Sequence, residues 1–266
     1  MRLHLDFETF GTVDLPKEGL ARYLRDPSFE VTLTAMAFDD GPVIQWEGFP
    51  MALFQRLAAI PDLRWHAFNA PFERGALATY GVEVPLDLWR CTQAHSYSVG
   101  FAGRLKDVGA QVMLSAEHMK FADGDRLIHK FAKPAPKNHK VDRYTKENDP
   151  AGWRRFMEYN IRDVIAERAI YHIIREWPWT TGHQELWELD QRINARGVPV
   201  DVPMATAAVE ASERCKKNLD DEIRSLTGGI GGGQTAALLA WLQGQGYGGT
   251  DLKAETIDAV LQNNDT

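Results

Sequence analysis

The sequence has few cysteines, no long apolar run and no overall excess of positive charge. Only Cys91 and Cys215 occur among its 266 residues, far apart and without CxxC spacing. We therefore expect two idle thiols in a reducing cytoplasm rather than a disulfide or a zinc site. No window approaches ~18 consecutive apolar residues, which argues against a membrane-spanning helix. Asp6 and Glu8 interrupt the apolar stretch at the N-terminus, so we expect no signal peptide.

The net charge of −7 argues against a nucleic-acid-binding protein, because DNA is a dense polyanion. The distribution of charge differs from its sum. Three acidic residues lie between His118 and Lys146, against eight basic ones: Lys120, Arg126, Lys130, Lys133, Lys137, Lys140, Arg143 and Lys146. This segment is suited to contact a phosphate backbone, and a solvated surface loop explains it equally well.

The first part of the chain predicts a mixed β-sheet with helices packed on it. Apolar and alternating runs predict five strands, at Arg2–Asp6, Val31–Phe38, Val43–Trp46, Leu63–Phe68 and Leu86–Arg90. Helical spacing predicts helices at Met51–Ala59, Pro71–Tyr80 and Gly152–Ile174. Residues 115 to 150 are expected to form a long loop with one short helix at Asp125–Phe131.

The character of the sequence changes near Trp177–Gly182, which predicts a domain boundary between residues 180 and 181. Leu186, Leu189 and Ile193 are spaced for one helical face. Further helices are expected at Pro203–Leu226, Thr235–Leu242 and Ala254–Gln262, with a glycine-rich connection before the second of them. We expect this second part to be mostly helical and incomplete as a domain.

Asp6 and Glu8 are candidate metal ligands at the end of the first strand. Residues two apart in a strand point to the same face, so these carboxylates project together. They repel each other, and a hard divalent cation relieves that repulsion. An Asp-x-Glu pair alone is a weak signal, since it is common on protein surfaces.

Two further segments carry polar residues at informative spacing. Tyr159 and Asp163 are four apart in the long helix and share one face, among apolar neighbours that leave an Asp in need of a partner. Asn69 is a plausible N-cap, and Glu73 falls in the first turn of the following helix, where the helix dipole favours an anion. Each feature also has a purely structural explanation.

The ordered combination of the three segments resembles the DEDD exonuclease superfamily, in its tyrosine-bearing branch, on an RNase H-like fold. The resemblance covers about residues 1 to 175, with Asp6 and Glu8 in the first motif and Tyr159 and Asp163 in the third. Asn69, Phe72 and Glu73 match the second motif, in which the family usually has Asp where this chain has Glu73. The longer side chain carries its carboxylate ~1.5 Å further and puts the second metal site in question.

The resemblance implies two-metal hydrolysis of phosphodiesters at 3' ends, with Mg²⁺ or Mn²⁺ as cofactors. Asp6 would bridge both ions, Glu8 and Asp163 would hold the ion that activates water, and Glu73 would support the second ion through a water molecule. Tyr159 would orient the attacking water. Asn69 would contact the terminal nucleotide, and Phe72 would pack beside it. We also expect Thr9 and three lysines of the basic segment to contact the strand: Lys120, Lys130 and Lys133.

The second part resembles the segment that opens the polymerase domain of phage-type family A DNA polymerases. The matching stretches are Leu189–Asp201, Gln234–Leu242 and Leu252–Thr256. Nothing resembling the palm or the fingers is present. The resemblance implies a proofreading 3'→5' exonuclease in DNA replication that cannot itself synthesise DNA. Its partners would be a single-stranded or frayed DNA 3' end and the remainder of the polymerase.

Two other functions remain open at this stage. An RNase D-like RNA exonuclease would use the same site residues, and only the polymerase-like second part favours DNA. A catalytically silent module that holds DNA would fit the presence of Glu73 in place of Asp. The histidines at positions 118, 129 and 139 have no close ligand spacing and do not predict a zinc enzyme.

Overall fold

A computed structural model describes residues 1–119 and 124–264. Their contacts divide the chain into two compact units, residues 1–196 and residues 197–266. The first unit includes the helix that follows the predicted boundary, so the compact units divide about sixteen positions later than residue 180. In the described residues, no helix is both long enough and apolar enough to cross a bilayer.

The first unit is an α/β fold built on one five-stranded mixed sheet, consistent with the predicted RNase H-like architecture. The strands are β1 (Arg2–Phe10), β2 (Glu30–Phe38), β3 (Ile44–Glu47), β4 (Arg64–Ala67) and β5 (Trp89–Cys91). Their order across the sheet is β3-β2-β1-β4-β5. The first three strands pair antiparallel, and β1, β4 and β5 run parallel to one another.

Nine helices of the described residues belong to this unit: α1 (Leu15–Glu18), α2 (Leu20–Arg25), α3 (Met51–Ala58), α4 (Ala70–Thr79), α5 (Thr92–Ser98), α6 (Leu105–Gln111), α7 (Gly124–Phe131), α8 (Pro150–Ile174) and α9 (Thr181–Arg196). The long helix α8 begins two residues before the predicted Gly152, because Pro150 occupies its first turn and the Asp149 side chain accepts a hydrogen bond from the Gly152 amide at 3.1 Å.

Two predicted elements differ from the structure. The strand expected at Leu86–Arg90 begins as a short 3-10 helix, Leu86–Leu88, and only Trp89–Cys91 pairs with β4. Strand β1 runs four residues beyond Asp6, because its antiparallel pairing with β2 continues to Phe10. Its parallel pairing with β4 stops at His4. Asp6 and Glu8 therefore lie within a strand, just past the carboxyl end of the parallel part of the sheet.

The main core lies on one face of the sheet and is aromatic and aliphatic. Leu3, Leu5 and Phe7 of β1 pack there with Trp65 of β4 and Trp89 of β5. On the other face, α8 crosses β1 and β2 and carries polar as well as apolar buried residues. This second face is where the candidate site forms.

Helix α9 packs on the rest of the first unit. The residues that make this contact are not those of the apolar stripe Leu186, Leu189 and Ile193. Trp187 joins the main core, and Gln184 donates to the carbonyl oxygens of Leu86 and Trp89 at 3.4 and 3.3 Å. Leu186, Leu189 and Ile193 are instead exposed. The spacing predicted the helix, but its apolar stripe does not make this contact; Trp187 and the carbonyl-binding Gln184 make it instead.

The second unit holds helices α10 (Val202–Thr227), α11 (Thr235–Gly244) and α12 (Ala254–Asn264). Neither α10 nor α11 has a buried residue, and α10 exposes apolar side chains that include Val202, Met204 and Val209. The expectation of a mostly helical segment with little core of its own agrees with this description.

Candidate functional site

Three carboxylates from two distant parts of the chain meet on the α8 face of the sheet. Asp6 and Glu8 come from β1, and Asp163 comes from the middle of α8, 155 or more positions away. One carboxylate oxygen from each lies within 4.8 Å of the other two. Glu8 and Asp163 are buried and Asp6 is half-buried. Oxygen ligands at this separation could together hold a divalent ion such as Mg²⁺ or Mn²⁺.

Glu73 approaches the same site from the first turn of α4. It lines a cavity of about 420 Å³ together with Asp6 and Asp163. We call this the carboxylate cavity, and its other lining residues are Phe68, Asn69, Gln93, Arg104, Leu105, Lys106, Asp107 and Asp125. The fourth predicted ligand therefore faces the same space, although it lies outside the tight group of three.

The surroundings of the Glu73 carboxylate suit a cation ligand. Burial, and next the negative charge of Asp6, raise the pKa of Glu73 well above its usual value. Its Oε2 atom is buried and accepts no hydrogen bond from the residues that the structure describes. A bound divalent cation would compensate both the buried charge and the open acceptor. The residues present thus fit the predicted metal chemistry despite the longer Glu side chain.

Tyr159 is fully buried one helical turn before Asp163 and stacks against Phe156. Burial raises its pKa far above the usual value, and the negative charges of Asp163, Glu8 and Asp6 raise it further. The phenol therefore keeps its proton at neutral pH and is suited to hydrogen bonding, not to acting as a base.

Gly124 permits the position of the Tyr159 ring. A Cβ atom at this glycine would lie 2.3 Å from the ring's Cε2 atom, so any larger residue at the start of α7 would displace Tyr159. The sequence analysis did not identify this requirement, since a glycine near the start of a short helix has no distinctive pattern.

Asn160 is a site residue that the sequence analysis missed. Its Nδ2 atom donates to Asp6 Oδ2 at 2.8 Å and to the Asp6 carbonyl oxygen at 3.2 Å. Gln45 of β3 donates to Asn160 Oδ1 at 3.0 Å and to the Met157 carbonyl oxygen at 2.8 Å. The Asp6 carboxylate is thereby oriented by a chain of two amides. Only its place beside Tyr159 in the motif could have drawn attention to Asn160.

The predicted strand-contacting residues lie partly around the site. Asn69 occupies the N-cap position of α4, makes no capping hydrogen bond with its side chain and lines the carboxylate cavity. Thr9, Phe72 and Lys133 line a second cavity of about 420 Å³, the apolar cavity, which Glu8 also lines and which shares Asp125 with the first. Thr9 is buried, and its hydroxyl is 2.8 Å from that of Tyr23.

Of the remaining predicted contacts, the structure describes only Lys130. Lys130 forms an ion pair with Asp149 at 2.5 Å and lies outside the described linings of both cavities. Lys120 lies outside the described residues. Elsewhere in the basic segment, Arg143 pairs with Glu30 at 2.5 Å and Lys146 with Glu47 at 2.6 Å. Acidic partners therefore neutralise much of the local positive charge.

Two cations that the sequence analysis did not consider line the carboxylate cavity. Arg104 and Lys106 are exposed residues at the start of α6, and both face the space that Asp6, Glu73 and Asp163 border. Their positive charge is suited to the phosphate of an anionic ligand. Nothing in the sequence links them to the carboxylates some thirty to a hundred positions away.

The chain is similar over almost its whole length to a DNA polymerase of Bacillus phage SP02. The two sequences are 36% identical over 270 residues, which cover 98% of this chain and 41% of the relative. The chain thus spans less than half of the length of the curated relative that it matches. No protein-family model matches the sequence. The comparison supports a relation to phage DNA polymerases, and the structure brings together acidic residues that could hold a metal ion.

Proposed function

We propose that the chain is a metal-dependent 3'→5' exonuclease that removes nucleoside 5'-monophosphates from DNA 3' ends as the proofreading part of a phage-type DNA polymerase. The observation that carries this proposal is the convergence of acidic side chains from β1, α4 and α8 on one cavity. The similarity to a phage DNA polymerase supports a role on DNA.

In this proposal Asp6, Glu8, Glu73 and Asp163 would hold two divalent ions. When bound, ions of this class activate water and stabilise the oxygen that leaves the scissile phosphate. The Asn160 amide fixes the orientation of the Asp6 carboxylate through the 2.8 Å hydrogen bond. The protonated Tyr159 hydroxyl, four residues before Asp163, orients the attacking water molecule.

The walls of the two cavities suggest how the strand end is held. Asn69 at the start of α4 contacts the terminal nucleotide, and the half-buried Phe72 packs beside it, with Thr9 and Lys133 along the same wall. Arg104 and Lys106 attract the phosphates towards the carboxylate cavity. Because the site is strongly acidic, we expect the metal ions and the strand to bind together and each to bind weakly alone.

The test follows matched DNA and RNA oligonucleotides labelled at the 5' end, with Mg²⁺, with Mn²⁺ and with a chelator. We expect DNA to shorten stepwise from its 3' end, with nucleoside 5'-monophosphates as products and no reaction in chelator. Activity that is unaffected by the chelator would exclude this function. Preferential shortening of RNA would replace it with RNA exonuclease activity, and strand binding without shortening would indicate a DNA-holding module.

A further inference from the structure

A second cluster of buried polar side chains lies behind the carboxylate centre. His4 of β1 and His66 of β4 are directly paired across the parallel strands, and Glu167 lies one helical turn beyond Asp163 on α8. His4 is 0%, Glu167 3% and His66 4% exposed. Two imidazoles and a carboxylate in a protein interior need partners that account for every polar atom.

The contacts within the cluster do not provide hydrogen-bond partners for all of its ring nitrogens. His4 Nδ1 lies 2.6 Å from Glu167 Oε2, and Thr92 donates its hydroxyl to the other oxygen of the same carboxylate. The rings of His4 and His66 lie 4.9 Å apart. Among the described residues, His4 Nε2 and His66 Nδ1 have no hydrogen-bond partner although both atoms are buried. A buried polar atom without a partner is unfavourable, and an ion held between Glu167 and His66 would supply a partner for the His66 ring nitrogen.

The charge state of the cluster favours a cation. Burial lowers the pKa of His66 to about 3, so its imidazole is neutral at pH 7 and offers a lone pair. Two nitrogen donors and one anionic oxygen are a ligand set typical of zinc, unlike the oxygen-only set of the carboxylate centre.

From this geometry we infer that His4, His66 and Glu167 form a binding site for one divalent transition-metal ion of the zinc class. One donor atom from each residue already lies within 4.8 Å of the other two. Donor atoms in tetrahedral zinc sites are about 3.3 Å apart, so small side-chain rotations close the site. Thr92 supports the carboxylate as an outer hydrogen-bond donor, as is common around metal ligands.

The cluster borders a cavity that gives it a route to solvent. His66 and Thr92 also line a cavity of about 680 Å³ that is bordered by Tyr171, Arg2 and Arg90. An ion can enter through this cavity, and a water molecule from it can complete the coordination. The ion would join β1, β4 and α8, which support the catalytic carboxylates, so its role would be structural.

The experiment measures Zn²⁺ binding to the full chain by titration calorimetry in excess Mg²⁺, which competes with Zn²⁺ for the carboxylate centre. The wild-type chain is compared with His66→Gln, which removes a nitrogen donor, and with Asp163→Asn, which alters only the carboxylate centre. We expect one zinc ion in the wild type and in Asp163→Asn, and an affinity loss of more than ~10-fold in His66→Gln. Equal zinc affinity in wild type and His66→Gln would overturn the site.

A second measurement decides the matter if His66→Gln does not fold. X-ray absorption at the zinc edge of the wild-type complex reports the ligands directly, and we expect scattering from two imidazole rings. Coordination by oxygen alone, or no zinc retained in excess Mg²⁺, would show that the cluster is only a hydrogen-bonded network. Neither result depends on nuclease activity, so this inference and the proposed function can fail separately.

Discussion

The two faces of strand β1 are buried to a similar extent but differ in chemistry: one packs in the apolar core and the other carries polar clusters. Leu3 and Leu5 are 0% and 2% exposed and pack in the aromatic core. His4 and Glu8 on the other face are 0% and 7% exposed, and their row meets the polar side of α8. The strand period of two assigns alternate residues to these faces. Burial alone therefore does not distinguish a core residue from a site residue. The chemistry of the residues that each side chain contacts makes that distinction.

The largest expected effect comes from altering the carboxylate centre of Asp6, Glu8 and Asp163. Asp163→Asn preserves the shape of the side chain but removes one anionic ligand, which should reduce exonuclease turnover by about 10³-fold, since metal ions contribute several kcal/mol to such reactions. Its thermal stability should be equal to or above that of the wild type, because repulsion among buried carboxylates is relieved. Near-normal turnover in this variant would show that the wrong carboxylates were chosen.

The opposite outcome is expected on the apolar face. Leu5→Ala should lower the free energy of unfolding by about 2–5 kcal/mol, because it leaves a cavity in a packed core. Turnover per folded molecule should remain close to wild type below the melting temperature. Chemical denaturation combined with the exonuclease assay measures both quantities. A stable Leu5→Ala variant without activity would remove the distinction between the two faces.

Asn160→Ala tests whether the polar face is organised by hydrogen bonds. The variant removes the donor to Asp6, and a hydrogen bond to a charged group contributes about 1.5–3 kcal/mol. We expect an activity loss of roughly tenfold or more and a higher Mg²⁺ concentration at half-maximal rate. Gln45→Ala, which removes only the outer amide of the chain, is the matched control and should have a smaller effect. Equal Mg²⁺ dependence in all three proteins would refute the positioning role.

The smallest expected effect is a dependence of stability on pH from His66. Its pKa of about 3 in the folded chain lies below that of an unfolded histidine, ~6.5, so the unfolded state binds more protons between these values. Stability should therefore fall as pH decreases below ~6.5, by at most ~1.4 kcal/mol per pH unit from this group. The charged and titratable groups that interact electrostatically with His66 are Glu167, His4, Arg90 and Arg2. Urea denaturation from pH 7 to 4, compared with His66→Leu, checks the slope.

Much of the fold was predictable from local patterns. Alternation in β1 and β2, the Pro and Asn at the start of α4 and the Asp149-Pro150 start of α8 each encode their element within a few residues. The strand at Leu86–Arg90 was only partly correct, because whether Leu86–Leu88 pairs with a neighbour depends on long-range contacts. For the same reason, the sequence did not predict that the apolar stripe of α9 is exposed.

The candidate site was predictable only where the residues form ordered motifs. Asp6, Glu8, Glu73, Tyr159 and Asp163 could be named from their spacing and from the family resemblance, and their metal-binding and catalytic roles stay predictions. Asn160, Arg104 and Lys106 could not, because their relevance arises from contacts across the fold. The His4–His66 pair likewise depends on the register between β1 and β4, which no local pattern encodes.

The most direct test of the carboxylate centre counts its ions. Mn²⁺ titration followed by electron paramagnetic resonance, in the presence of a single-stranded DNA with a non-hydrolysable 3'-terminal linkage, reports how many ions bind and whether they are magnetically coupled. We predict two coupled Mn²⁺ ions per wild-type chain, and no coupled pair in Asp6→Asn. The same Mn²⁺ stoichiometry and spectrum in wild type and Asp6→Asn would contradict a two-ion centre built on these acidic side chains.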